Sequence, residues 1–135
     1  MILVLDSSAT LSLVLLDEQT PASAELFRRI DQEGAIVPTL WRLEVANALL
    51  MAERRGRLGT VDLLAILSDL AALPINEDAE TGRQAWSRTV EIARFHRLTV
   101  YDAAYVELAE RLDLPLATND KALLKAAQTL GIPLV

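Results

Sequence analysis

Short apolar runs alternate along this chain with stretches of helical period. Ile2 to Leu5 is a continuous apolar run that reads as a buried strand ending at Asp6. Ser8 to Leu16 reads as a helix. Thr20-Pro21 is an N-cap followed by proline at the first helical position. The helix it opens turns Leu26, Phe27 and Ile30 inward and stops at Gly34. Ala35-Ile36-Val37 reads as a second strand, ended by Pro38. A long helix follows from about Thr39 to Arg55, broken by Gly56 and Gly59, and Thr60 caps another that reaches about Ala72. Leu73-Pro74-Ile75 reads as a short strand, placed at a sheet edge because proline has no N–H to donate to the ladder. A helix is predicted over about Asp78 to Phe95. Thr99-Val100-Tyr101-Asp102 has capping-box spacing and opens a helix to about Leu112. Leu114 to Ala117 is the fourth strand, Lys121 to Leu130 the last helix, and Ile132 to Val135 a closing fifth strand.

This alternation predicts an α/β fold with a parallel sheet. The 135 residues fit one domain spanning residues 1–135, and 52% apolar content is enough to fill its core. A positive mean hydropathy points to an apolar interface and hence to a homodimer, with Leu63, Leu64, Leu67 or Trp86 as candidate contacts. The chain has no cysteine, which excludes disulfides, thiolate metal sites and a cysteine nucleophile, and is compatible with a reducing cytoplasm. The N-terminal apolar run is too short for a signal peptide, and no stretch approaches the ~20 apolar residues of a membrane span. A cytoplasmic protein with no membrane partner is expected.

Four carboxylates change the picture. Asp6 closes the first strand, Glu44 lies beside the apolar stripe of its helix, Asp102 opens the helix after Thr99, and Asp120 follows the fourth strand. In a parallel sheet, ligands bind outside the carboxyl ends of the strands, where Asp6 and Asp120 fall. If the fold gathers the four, each like-charged pair at ~4 Å costs about 4 kcal/mol at an effective dielectric of ~20. Protons or a divalent cation must relieve that cost, and hard oxygen ligands suit Mg²⁺ or Mn²⁺. Thr118 and Asn119 add oxygens beside Asp120. Each acid also has a plain structural role open to it: N-caps for Asp6 and Asp120, a capping box for Asp102, an ion pair with Arg42 or Lys121 for Glu44. The net charge of −6 argues against a simple nucleic-acid binder, but the positive charge is clustered at Arg28-Arg29, Arg54-Arg55-Arg57 and Arg94-His96-Arg97, any of which suits phosphate. His96 reads as a surface residue, and Trp41 and Trp86 as core or interface residues. No Gly-rich phosphate loop, nucleophile elbow or HExxH occurs.

Leu5-Asp6-Ser7-Ser8, Pro38 to Leu49 around Glu44, Leu98 to Tyr105 around Asp102, and Leu116-Ala117-Thr118-Asn119-Asp120-Lys121 together resemble the PIN-domain family, and more closely its small bacterial toxins of the VapC type. The resemblance covers nearly the whole chain. It implies a PIN-like three-layer fold, a five-stranded parallel sheet between helices, and Mg²⁺- or Mn²⁺-dependent ribonuclease activity. The family's acidic metal positions match Asp6, Glu44, Asp102 and Asp120, and its hydroxyl positions match Ser8 and Thr118. Asn119 stands where the family often has an apolar or small residue. The resemblance further implies an RNA substrate, a cognate antitoxin and a toxin–antitoxin role. Two rivals remain open at this point. Leu5-Asp6-Ser7-Ser8-Ala9-Thr10-Leu11 faintly resembles the opening of a haloacid-dehalogenase-like phosphatase, although Ser8 stands where a second Asp belongs. A non-catalytic α/β module could bind a basic partner through its acidic rim.

Overall fold

The structure, a computed structural model, describes residues 2–135. Its sheet has four strands: β1 (Leu3–Leu5), β2 (Ala35–Val37), β3 (Ile75–Glu77) and β4 (Leu116–Ala117). All pairings are parallel and the order is β3-β2-β1-β4. Leu3, Val4 and Leu5 are fully buried, as expected for a central strand covered on both faces. The chain moves from β1 to β2 and β3 on one side and returns to β4 on the other. The crevice between the carboxyl ends of β1 and β4 is therefore the switch point of the sheet.

Helices flank the sheet. On the way to β2 run α1 (Ser7–Val14) and α2 (Pro21–Glu33), and α3 (Trp41–Arg54) and α4 (Thr60–Ala72) lead to β3. Then come α5 (Thr81–Gln84), a π-helical stretch (Ala85–Thr89), α6 (Val90–His96), α7 (Val100–Leu112) and, after β4, α8 (Lys121–Thr129). In α3 the buried residues Trp41, Val45, Leu49 and Ala52 fall on one stripe at helical spacing. The Trp41 indole N–H donates to Thr10 Oγ1 at 2.9 Å, which fixes α3 against α1. Every residue of α7 from Ala103 to Ala109 is buried, because the helix lies on β1 and β4 and also packs against α6 and α8. It is tied to the rest of the fold by Arg111, which bonds the nearly buried Asp78 after β3 and Glu107 one turn back on α7. No helix among the described residues is long and apolar enough to cross a membrane.

The expected fifth strand is a correction. Residues 132–135 contribute a single parallel bridge, Leu134 to Leu116, supported by two backbone bonds, Leu116 N–H to Pro133 O and Val135 N–H to Leu116 O. Pro133 has no N–H to donate and β4 is two residues long, so no ladder extends there. Phe27, expected inward, is on the surface, and α2 buries only Ser23 and Ile30 outright. Trp86 is not a core residue but is 94% exposed. The helix expected over Asp78 to Phe95 is three segments in series, and the cap of α4 is Gly59, whose N–H bonds Asp62, rather than Thr60. The third strand forms at the edge as Pro74 required, but as Ile75–Glu77.

Gly34 shows how tightly β2 is fed in. It ends α2 with φ +85°, and a β-carbon there would stand 3.0 Å from the Pro74 carbonyl oxygen that accepts the Ala35 N–H. Gly34→Ala is expected to destabilise the protein by about 1–2 kcal/mol, read from urea unfolding midpoints. An unchanged midpoint would mean that α2 relaxes without disturbing the β2–β3 pair.

Candidate active site

Asp6 leaves the end of β1 and Asp120 follows β4, so the β1–β4 pairing brings their backbones to one rim; the Asp6 N–H itself bonds Ala117 O at 3.1 Å. Asp6 is 2% exposed and caps α1, its Oδ1 accepting from the Ala9 N–H at 2.8 Å. Ser8 Oγ lies 2.8 and 2.9 Å from its two oxygens, and Thr118 donates its hydroxyl to Oδ2. Thr118 Oγ1 also accepts the Asp120 N–H at 3.0 Å, so one hydroxyl links the two acids. Asp120 caps α8 through Oδ1 alone, which accepts from Ala122 and Leu123 at 2.8 and 3.1 Å. Asn119 is exposed and contributes its backbone, the N–H donating to Ser8 Oγ at 3.0 Å.

Asp102 lies in the first turn of α7, where its N–H donates to Thr99 Oγ1 at 3.1 Å. Glu44, half-buried in the first turn of α3, takes neither of the cations expected for it. Arg42 pairs with Glu77 instead, and the Glu44 carboxylate accepts a hydrogen bond from the Tyr105 hydroxyl. Asp6 and Asp120 thus cap helices at the same rim, whereas at α7 the cap is Thr99 and the expected capping box through the Asp102 side chain does not form.

The electrostatics show that the four share one field. Burial raises the Asp6 carboxyl above the usual range; the Ala9 N–H and the Thr118 and Ser8 hydroxyls pull it back, and Asp120 pushes it further up. Burial likewise raises Glu44, against the Tyr105 hydrogen bond, with added repulsion from Asp102 and Asp6. Asp102 is raised by burial and by Asp120, against the Thr99 hydrogen bond. Every one of the four therefore repels at least one other.

Tyr105 was missed as a site residue. Its ring is 1% exposed, and burial together with Glu44 holds the phenol far above its ordinary range, so it remains a donor. The available signal was a tyrosine inside the apolar stretch Ala103 to Val106, since a buried phenol requires a hydrogen-bond partner. His96 lies half-buried with its ring against Phe95, away from these contacts.

The donor set fits a small divalent cation in kind: hard carboxylate and hydroxyl oxygens carrying unrelieved negative charge. Among the described residues no three acidic or imidazole side chains form a ready-made ligand cage. An open site of this kind suits an ion that keeps several of its waters, as Mg²⁺ does.

Comparison with known proteins places this geometry in a family. The PIN domain family matches residues 3–128. Ribonuclease VapC12 of Mycobacterium tuberculosis is 33% identical over 122 residues, covering 87% of this chain and 86% of the relative. Ribonuclease VapC3 of Pyrobaculum aerophilum is 32% identical over 135 residues, covering 97% and 98%. Among solved structures, PAE2754 from Pyrobaculum aerophilum superposes with a TM-score of 0.64 at 26% identity, covering 96% of this chain and 92% of that one. FitAcB from Neisseria gonorrhoeae shares the fold with a TM-score of 0.65 at 16% identity, covering 99% and 96%. The chain belongs to the PIN-domain family.

Proposed function

We propose that this PIN-domain protein is a divalent-metal-dependent endoribonuclease and the toxin of a toxin–antitoxin pair. The observation that carries the reading is the placement of Asp6 and Asp120 at the switch point of the sheet, linked through the Thr118 hydroxyl, with Glu44 and Asp102 close enough to add to the negative charge there. The relatives named ribonuclease VapC support the choice of RNA as substrate. In this reading Asp6, Asp102 and Asp120 would hold Mg²⁺ or Mn²⁺, directly or through water. Ser8 and Thr118 fix the Asp6 carboxylate. Glu44, steadied by the Tyr105 hydroxyl, would orient the attacking water. A bound divalent ion supplies Lewis acidity to that water and offsets charge on the scissile phosphate.

The haloacid-dehalogenase alternative loses ground because Ser8, at the position that chemistry would give to a second acid, spends its hydroxyl on Asp6. The partners proposed are RNA, a second copy of the chain and an antitoxin. An antitoxin arginine or lysine would enter the anionic pocket, and an apolar helix would find Val61 and Leu64 exposed on α4.

Incubation of the purified protein with structured RNA and Mg²⁺ or Mn²⁺ tests the activity. RNA fragmentation that stops on chelation is expected, with a small phosphomonoester left intact. Hydrolysis of the monoester alone would establish the phosphatase instead, and inertness toward both would leave a binding module.

A further inference from the structure

A rim of four carboxylates repels the polyanion it is proposed to cut, so the substrate needs a second foothold close by. The junction of α6 and α7 has the chemistry for one. It leads directly into the turn of α7 that carries Asp102, and it is flanked by Phe95 in the last turn of α6, 79% exposed, and Tyr101 in the first turn of α7, 66% exposed. The Phe95 ring is braced edge-on by His96, with centroids 4.9 Å apart. Interleaved with these rings are Arg94 and Arg97, both exposed. Among the described residues Arg28, Arg42, Arg57, Arg83, Arg88 and Arg111 are all in ion pairs, whereas Arg94 and Arg97 are in none, a state they share with Arg54 and Arg55 at the end of α3, which have no aromatic ring beside them in sequence. Arg97 closes α6 in the left-handed conformation, φ 55°, which turns the chain sharply and keeps both arginines and both rings within one short segment.

Resting on the ribonuclease reading, we propose that residues 94–101 form a subsite for unpaired RNA, in which Phe95 and Tyr101 stack bases and Arg94 and Arg97 take the adjoining phosphates. Single exposed apolar residues need no explanation, but two aromatic faces alternating with two uncommitted cations have the make-up of a single-strand platform. Stacking requires splayed bases, which a duplex does not offer. A second copy of this chain suits the face less well. A two-fold axis passing through this short segment would bring Arg94 and Arg97 close to their own counterparts, and like charges across an interface are penalised. A basic antitoxin segment would meet the same repulsion.

The test is the affinity of the purified full chain for a labelled 12-nucleotide oligouridylate and for a 12-base-pair RNA duplex, read by fluorescence anisotropy with chelator present to prevent cleavage. The single strand is expected to bind more tightly than the duplex. Phe95→Ala and Tyr101→Ala are each expected to weaken single-strand binding about tenfold or more, with thermal midpoints unchanged. Tyr101→Phe keeps the stacking face and should bind like the parent. Trp86→Ala is the control. This aromatic is 94% exposed, but it lies two residues before Arg88, which pairs with Glu110, two turns or about 12 Å along α7 from Asp102. It should bind like the parent. Arg94→Gln and Arg97→Asn, the latter tolerant of φ 55°, should each flatten the dependence of log affinity on log salt by about 0.7.

Parent-like binding by both alanine variants, or equal affinity for strand and duplex, would overturn the subsite and leave the ribonuclease reading standing. So would a parent that cuts RNA with Mg²⁺ yet binds no strand without it. Light scattering on the same variants adds another refutation: dissociation of a dimer with RNA affinity intact would make this face a contact between copies. Neither binding nor cleavage by the parent would overturn both readings together.

Discussion

Asp6→Asn is expected to lower RNA turnover by more than about a hundredfold while leaving the fold intact or more stable. Groups that merely support metal ligands typically contribute 10- to 100-fold, and Asp6 is proposed as a ligand itself. Stability is protected because asparagine caps helices about as well as aspartate, so the Ala9 N–H keeps its acceptor, and the Thr118 hydroxyl, which loses its acceptor at Oδ2, can turn to Ser8 Oγ 3.3 Å away. One negative charge leaves a cluster in which Asp120 and Glu44 already repel it. The pH dependence follows in sign. Asp6, Glu44 and Asp102 are raised in the folded protein, so the native state binds protons before the unfolded chain does. Without metal, their contribution to stability is unfavourable at neutral pH. It improves as pH falls through the raised values and is fully relieved below the ordinary carboxylate range near 4. Thermal midpoints of the metal-free protein from pH 7 to pH 4 should show this rise, reduced in Asp6→Asn. Retained RNA cleavage with a lower midpoint would assign Asp6 to capping alone.

Arg111→Met is expected to cost about 3–5 kcal/mol, since it strands the Asp78 and Glu107 carboxylates in sites that are 6% and 2% exposed. For a chain of this size that is a fall in midpoint on the order of 10–20 °C. Methionine preserves much of the side chain's volume, so the loss reports on charge rather than packing. Burial would raise the Asp78 carboxyl, but hydrogen bonds from Arg111 and the Glu80 backbone outweigh it and the net shift is downward. A depressed carboxylate contributes stability above its ordinary value near 4 and loses it as pH falls through the lowered one. Acidification should therefore weaken the parent below about pH 4 and should narrow the gap to the variant, in which the Asp78–Arg111 contribution is already gone. A loss under about 1 kcal/mol at pH 7 would show that water reaches these carboxylates and that Arg111 is dispensable to the seating of α7.

Elements with a local cause were legible in the chain. Thr20-Pro21 and Gly34 bound α2, Thr99 caps α7, Pro74 keeps β3 at the edge, and the Leu3–Leu5 run is the buried central strand, because capping, proline geometry and apolar runs act over a few residues. The four acids stood out for the same reason, each sitting where a solvated residue had no cause to be. What the chain alone left open depends on contacts far apart in sequence. The order β3-β2-β1-β4 puts Asp6 beside Asp120, 114 positions apart, and lets Thr118 bond both. A single long-range hydrogen bond between α7 and α3 gives Glu44 to Tyr105 rather than to a nearby cation. Long-range packing also left Phe27 and Trp86 outside, since a periodic apolar position is buried only if another element arrives to cover it.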